Sequence, residues 1–475
     1  MRQETTRPKL LLLLAEVLAF AVLATTASGH FGFADGCRIT VAYFVAYLVP
    51  RVILTRSRDT SLAARAVLLV AALFAGSVDC LRLVHWTSAP GYTLQMPNIA
   101  GDARNYYKCA LAIYYGNPGG VSVAFPGFPL LMAGLWKVFG LSAIWPQAMN
   151  LMFTLTSVVL TGMTTRRLLV GRVTVAPTAL LAGGMLLTVM LVYYLQLGIS
   201  MLKEGSTFIS MAMAGYALSS MAADARRGWQ WRDVLLFVLA CALLALVRTT
   251  FLYFIALGVV VMTLPHWRRD WKMALAMLAV LWVALALGDR LSSYSFDRHA
   301  EIVGGGWNMQ RYFVTSTTQE FFHKVIGYYF LYTPWRRLLL LPLTAAVQFL
   351  IPLPFFSPSV SMLTNLSKVT FGWYVVGGIA LFYFVWMAWH RRAGMGAWAW
   401  WAALSFLALA YLMAGSVPRY VLFIEPLFVP VAMYVLCRLR EGQWRGAFKW
   451  YAVCYVAVLA VVILLCLAIK SGVVA

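Results

Sequence analysis

The sequence predicts an all-α polytopic integral membrane protein of about 12 to 14 transmembrane helices, with short external helices lying along one membrane surface. Three observations predict it. Hydrophobic residues make up 62% of the chain and charged residues only 11%, whereas about a quarter of an ordinary soluble domain is charged. Apolar runs of roughly 15 to 22 residues recur along the chain, close to the ~20 helical residues that cross a bilayer core. The formal net charge of +22 is gathered into short basic clusters between those runs. That distribution is the positive-inside pattern, and it excludes a nucleic-acid-binding reading of the charge.

The runs place spans near 10–29, 39–54, 66–84, 143–165, 174–194, 206–222, 233–247, 251–265, 273–289, 370–389, 395–414, 421–437 and 449–469, with one or two more within 319–355. Arg51, Arg56, Arg58 and Arg65, then Arg166, Arg167 and Arg172, then Arg226, Arg227 and Arg232, and later Arg438, Arg440, Arg445 and Lys449 lie between spans, which assigns these connections to the cytoplasm. Trp229, Trp231, Trp267, Trp271 and Trp444 beside them fit an interfacial belt. The first run reads as a retained span, not a cleaved signal. The whole of 1–475 is then one transmembrane domain, with a first external loop at 86–142 and a second at 290–335. By parity, "FPGFPLLMAGLWKVFG" (125–140) begins and ends outside and reads as an interfacial or re-entrant helix. Seven cysteines show no CxxC spacing; Cys80 and Cys109 both fall near the outer face, where a disulfide is open to them.

With 16 acidic residues in the chain, each one on the outer side can be weighed. Asp102, in "GDARNYYKCALAIYYG", precedes a helical pattern with Tyr106, Cys109 or Ala110 and Ile113 on one face. It reads either as a general base or as a helix N-cap. Glu204, in "MLKEGS", reads as a second carboxylate, as a partner of Lys203, or as a first-turn acid complementing the helix dipole. Arg104, Lys203, Arg248, Arg311 and Arg419 are external cations suited to a phosphate, because guanidinium stays charged when desolvated. Arg248, alone between two short apolar segments, reads equally as a snorkelling side chain. Glu16, within the first span, reads as a proton relay or as a polar partner inside the bundle. No HExxH or comparable ligand set occurs, so a divalent metal cofactor is left open without a motif to hold it. "GGG" at 304–306 lacks the lysine of a phosphate loop.

The order of span, external "GDARNYYKCALAI", "FPGFPLLMAGLWKVFG" and then "QAMNLMFTLTSVVLTGMTTRRLLVGR" resembles the GT-C fold glycosyltransferases that use polyprenyl-phosphate sugars, the superfamily of protein O-mannosyltransferases and lipid A aminoarabinose transferases. Asp102, Tyr106 or Tyr107, Ala110, Pro126, Gly127, Phe128, Pro129, Phe139 and Gly140 carry the likeness across 98–172, and "VPRYVLFIEP", with Arg419 and Tyr420, carries it more loosely. Two extra spans precede the loop, a single Asp stands where the mannosyltransferases have Asp-Glu, and the chain ends in an apolar run. The resemblance implies a transferase with Asp102 and Glu204 as catalytic carboxylates, and Arg104, Tyr106, Tyr107, Lys203, Arg248, Arg311, Arg419 and Tyr420 at the substrates. Its partners would be a polyprenyl-phosphate sugar donor, a lipid or glycan acceptor and membrane lipids. Inversion at the sugar and a bacterial inner membrane with the site facing the periplasm belong to the same expectation. A polymerase or ligase using a polyprenyl-pyrophosphate glycan, and a lipid or glycan transporter, are the competing expectations.

Overall fold

The computed structural model describes residues 6–57, 60–117, 126–223, 230–291, 338–339, 341–350, 371–390, 395–413 and 418–470. Among them no strand forms, and the one β-bridge joins Val170 to Val173. The helices, in chain order, are α1 (Thr6–Phe31), α2 (Phe33–Thr55), α3 (Leu62–Thr87), α4 (Gly101–Tyr114), α5 (Gly127–Phe139), α6 (Ile144–Leu169), α7 (Pro177–Met190), α8 (Val192–Gly198), α9 (Glu204–Ala223), α10 (Trp231–Val247), α11 (Leu252–Thr263), α12 (Trp267–Leu291), α13 (Leu341–Leu350), α14 (Phe371–His390), α15 (Gly396–Met413), α16 (Glu425–Arg440) and α17 (Arg445–Lys470).

Eight helices among the described residues are long and apolar enough to cross a membrane, and a ninth crossing counts if the bent pair α7–α8 is one span. The chain is therefore integral to a membrane, with fewer clear crossings than the sequence leads one to expect. The difference lies in identifiable helices. The expected spans 206–222, 233–247 and 421–437 appear as α9, α10 and α16, of 20, 17 and 16 residues, with Glu204, Asp233 and Glu425 in their first turns. These helices replace apolar surface with charge that is buried among neighbouring helices. The expected span 174–194 is broken: α7 and α8 meet at a 75° bend, which leaves Leu191 to begin a new helix direction. The segment 319–355 is described only in part, and the second external loop lies almost wholly outside the described residues.

Two ends of the bundle can be told apart by their contacts. At one end sit the basic clusters. Arg166 donates to Ser57 Oγ (2.8 Å), joining α6 to the α2–α3 connection. Arg167 donates to Asp233 Oδ1 (2.9 Å) and to the Tyr216 hydroxyl (2.7 Å), tying α6 to α9 and α10. Arginines expected only to set orientation are thus also cross-links. Trp231, Trp267 and Trp271 are exposed, as a belt requires, but Trp444 packs against Trp386, Tyr434 and Phe382 instead. At the other end lie α4, α5 and the α8–α9 connection.

Glu16, on α1, resolves to the second of its two expected roles. Its carboxylate accepts from Tyr47 (2.7 Å) and from Arg51 Nε and Nη2 (2.9 and 2.8 Å), with Arg65 at 3.8 Å. Three helices meet on one buried acid. Cys80 and Cys109 are both free thiols, so the disulfide open to them does not form.

Glu16→Ala leaves Arg51 and Arg65 facing each other without a counter-charge. The expected loss lies between the ~1 kcal/mol of an exposed pair and the ~3–5 kcal/mol of a buried one, because both arginines keep some contact with the surface. It is read as a lowered apparent melting temperature in detergent. At the turn after α16, Glu441 accepts from the Thr174 amide (2.7 Å) and hydroxyl (2.9 Å) and from Arg438 (3.0 Å). The Thr174 amide above all holds its carboxyl below the ordinary range. A depressed folded-state pKa gives stability that is present above the unfolded value and lost as pH falls through the folded one. Wild-type protein should therefore lose more stability on acidification than Glu441→Gln, measured by thermal unfolding across an acid pH series.

Candidate functional site

The site is built on the strap that joins α3 to α4. Asn98 N–H donates to Trp86 O (2.9 Å), Ala143 N–H to Leu94 O (2.8 Å) and the Tyr107 hydroxyl to Gln95 O (2.5 Å), so residues 88–100 fold back along the end of α3 and the start of α6. α4 then starts with Ala100 as its N-cap. Asp102 is thus the second residue of the helix, not the cap; an acid there complements the partial positive charge of the N-terminus. It is exposed, along with Arg104 and Lys108, while Tyr107, Cys109 and Ala110 turn inward. The expected helix is present and its buried face is displaced by one residue, from Tyr106 to Tyr107.

Tyr107 packs edge-on to Trp136 of α5 (5.0 Å between centroids), and its burial raises the phenol above its ordinary range. It is a packing residue of the α4–α5 interface. Tyr106, half-buried, meets Phe128 edge-on at 5.6 Å and carries the Lys203 ammonium over its ring at 5.9 Å. This contact brings the "GDARNYY" and "MLKEGS" segments together.

α5 has 13 residues and reaches about 20 Å, short of the ~30 Å hydrocarbon core. Its start explains the glycine of "FPGFP". A Cβ on Gly127 would run into the backbone carbonyl of Leu246, near the end of α10. Only glycine lets α5 press onto α10 two residues before Arg248. Lys137 lies within α5 and is exposed, so it marks no internal turn.

Glu204 opens α9 and is 2% exposed; Arg248 follows α10 and is 6% exposed. Their side chains pair at 3.5 Å between Arg248 Nη1 and Glu204 Oε1. Lys203 is not the partner of Glu204. Phe423 lies 4.7 Å from the Arg248 guanidinium and Phe251 lies 5.3 Å from it. Phe208, one turn into α9, stacks on Tyr194 (4.0 Å) and meets Phe423 (5.3 Å). An aromatic collar therefore seals the ion pair from water. Gly205 permits it: a Cβ there would come 2.6 Å from Gly198 O and 2.7 Å from Asn150 Oδ1.

Asn150 is the residue the sequence reading missed. From α6 its amide donates to Ser200 O and Leu202 O (the latter at 2.9 Å), so it holds the loop that presents Lys203 and Glu204. Gln147, Asn150, Thr154 and Ser157 are all fully buried. Their 3-4-3 spacing in "QAMNLMFTLTS" is a polar helix stripe legible in the sequence. On α3, Asp79 accepts from Tyr43 of α2 (2.7 Å) and Arg82 donates to Gln196 O (3.0 Å), linking the same polar interior to α8.

The other expected residues are not all assembled here. Arg419 and Tyr420 belong to the 3-10 turn Pro418–Phe423, whose Phe423 covers Arg248, but their side chains lie outside the described set, as does Arg311 entirely. Among the described residues, no three His, Cys, Asp or Glu side chains gather as a metal-holding group. No protein-family model matches the chain, and neither a curated protein nor a solved structure matches it.

Glu204→Gln takes from Arg248 the buried carboxylate it meets at 3.5 Å and should cost up to ~3–5 kcal/mol, whereas Glu204→Gln combined with Arg248→Met should recover most of that loss; apparent melting temperatures of the two variants test the coupling. Gly127→Ala should lower thermal stability without altering any charge, since the obstacle is backbone that cannot step aside.

Proposed function

We infer that the chain is an inverting membrane glycosyltransferase with a GT-C-like arrangement, moving a sugar from a polyprenyl-phosphate donor to a lipid-linked or glycan acceptor at the face that bears α4 and α5. The observation that carries this reading is the meeting of the Asp102 helix with the Glu204 loop through Tyr106 and Lys203. The two carboxylates singled out by the resemblance come from segments about a hundred residues apart in sequence, and a general base beside cations is what phosphate-leaving sugar transfer requires.

In the reaction, Asp102 takes the proton of the acceptor hydroxyl. The oxygen attacks the anomeric carbon from the side opposite the phosphate, the carbon–phosphate oxygen bond breaks, and the electron pair leaves on polyprenyl phosphate. Exposed Arg104 and Lys108, with the half-buried Lys203, are the described cations that this reading assigns to that phosphate. Arg248 acts one layer back: paired with Glu204 and covered by Phe423, it fixes the start of α9, from which Lys203 projects. By this reading Glu204 is a positioning residue, and Tyr107 shapes the groove wall without touching substrate. The inner membrane of a bacterium, with the site facing the periplasm, is the setting that suits a donor already activated on that side.

A transporter is the reading favoured by one separate observation, the 75° break between α7 and α8, since discontinuous helices near buried charge are a feature of transporter sites. The polymerase or ligase reading rests on the second external loop, which lies outside the described residues.

The test is sugar transfer in membranes from a panel of radiolabelled polyprenyl-phosphate sugars. Asp102→Asn should reduce transfer by ~10²–10⁴-fold, the contribution of a positioned general base, at equal expression and unchanged melting temperature. Transfer that persists in Asp102→Asn removes Asp102 from the chemistry. Substrate uptake into proteoliposomes without any transfer product would establish the transporter instead.

A further inference from the structure

Between α1, α2 and α3 lies a cavity of about 360 Å³. It runs from Leu69 to Val84 along α3 and from Ala19 to Phe31 along α1, in the half of these helices nearer α4, and one residue of α6, Leu151, closes its back. Fifteen residues of helix rise about 22 Å, so the cavity is a slot and not a round chamber.

Its walls are mainly apolar, with Thr26, His30 and Ser77 as polar residues among them. Phe20, Leu23 and Ala72 are typical of the lining, and the two tyrosines that contribute, Tyr43 and Tyr47, have their hydroxyls committed elsewhere, to Asp79 and Glu16. Their rings line the slot. Small residues such as Ala72 and Gly76 on facing membrane helices would ordinarily let backbones close on one another, yet here a Cβ on Gly76 would meet one neighbour only, Tyr43 Cδ2 at 3.8 Å. A void left unfilled forfeits contact on every wall. The helices around it are long and apolar enough to cross a membrane, so an apolar occupant suits it.

The slot also leads to the candidate site. Val84 is its last residue on α3, Trp86 follows two residues later, and Trp86 O holds Asn98. Asn98 is four residues from Asp102, at most about 14 Å of extended chain. A lipid with one chain in the slot has its headgroup delivered to the start of α4. We propose that this slot seats one acyl chain of a glycerophospholipid-like acceptor, whose headgroup hydroxyl is presented to Asp102. The slot, about 22 Å along α3, suits one extended acyl chain, and a polyprenyl carrier outruns it. The seating of the chain stands on the geometry alone; its role as acceptor rests on the transferase reading.

The experiment uses the full chain in nanodiscs containing phosphatidylglycerol with a diazirine at mid-chain, irradiated and mapped by peptide mass spectrometry. The lipid-facing surface of α17, where Val453 and Val456 are exposed, serves as the internal reference for incidental lipid contact. Labelling of the α1–α3 walls should exceed that of α17 by about tenfold, one decade of affinity, and should fall to the reference level in Gly76→Leu and in Ala72→Phe, variants confirmed as folded by unchanged melting temperature. Equal labelling of slot and α17, or slot labelling untouched by both fillings, overturns the chain site. Displacement of the label by polyprenyl phosphate overturns the acyl assignment. In the same nanodiscs, radiolabelled sugar should enter the organic-extractable fraction with wild type and fail to do so with the filled slot. Sugar transferred by wild type only to a water-soluble product, or to lipid equally by the filled variants, overturns the acceptor role. A labelled slot with no transfer by wild type overturns that role through the transferase reading and leaves the lipid site standing.

Discussion

The ion pair between Glu204 and Arg248 is the constraint around which this end of the bundle is arranged. Two charges taken out of water cost more than their mutual attraction returns unless geometry and surroundings are favourable, and within a membrane no solvent is at hand to rescue a misplaced partner. The close neighbours described around the pair fit that demand. Gly205 and Gly127 omit side chains where α9 meets the end of α8 and Asn150 of α6 and where α5 meets α10; Phe251 and Phe423 cover the guanidinium; Asn150 fixes the loop before α9. Lys203 and Tyr106 then meet as a consequence, and the Asp102 helix is brought to the cationic loop.

The same economy appears on the α1–α3 side. Glu16 neutralises arginines that would repel each other, and Asp79 takes the hydroxyl of Tyr43 while Arg82 reaches the carbonyl of Gln196. Because the tyrosine hydroxyls are drawn back into these polar contacts, the slot in front of them is left mainly apolar, with Thr26, His30 and Ser77 the other polar residues on its walls. The polar contacts inside the bundle and the mainly apolar slot are two sides of one arrangement.

The helical membrane architecture was legible in composition and apolar runs, and α4 and α5 were legible as short helices at one end. Asp102 and Glu204 could be picked out because so few acids compete with them. What the sequence hid was partnership. Arg248 and Glu204 lie 44 residues apart, and no local pattern pairs them; Lys203, adjacent in sequence, was the nearer candidate, but neighbouring residues on a helix start do not face each other. Glu204, Asp233 and Glu425, in the first turns of α9, α10 and α16, are buried inside the bundle, which the apolar runs alone did not reveal. The polar stripe of α6 was readable by its spacing, and its meaning, a tether for the Glu204 loop, needed the neighbouring elements in place. The glycine of "FPGFP" carried a sequence likeness; its physical reason, contact with the Leu246 carbonyl, is visible only in three dimensions.

The central claim is that the Glu204–Arg248 pair holds the Lys203 loop against the Asp102 helix. Cysteines introduced at Tyr106 and Lys203, joined in membranes by a short bis-maleimide, measure it directly. Efficient cross-linking in the otherwise wild-type chain, falling sharply when Glu204→Gln is added and returning with Arg248→Met, is the predicted result. Cross-linking that is absent throughout, or indifferent to the ion pair, would contradict the account.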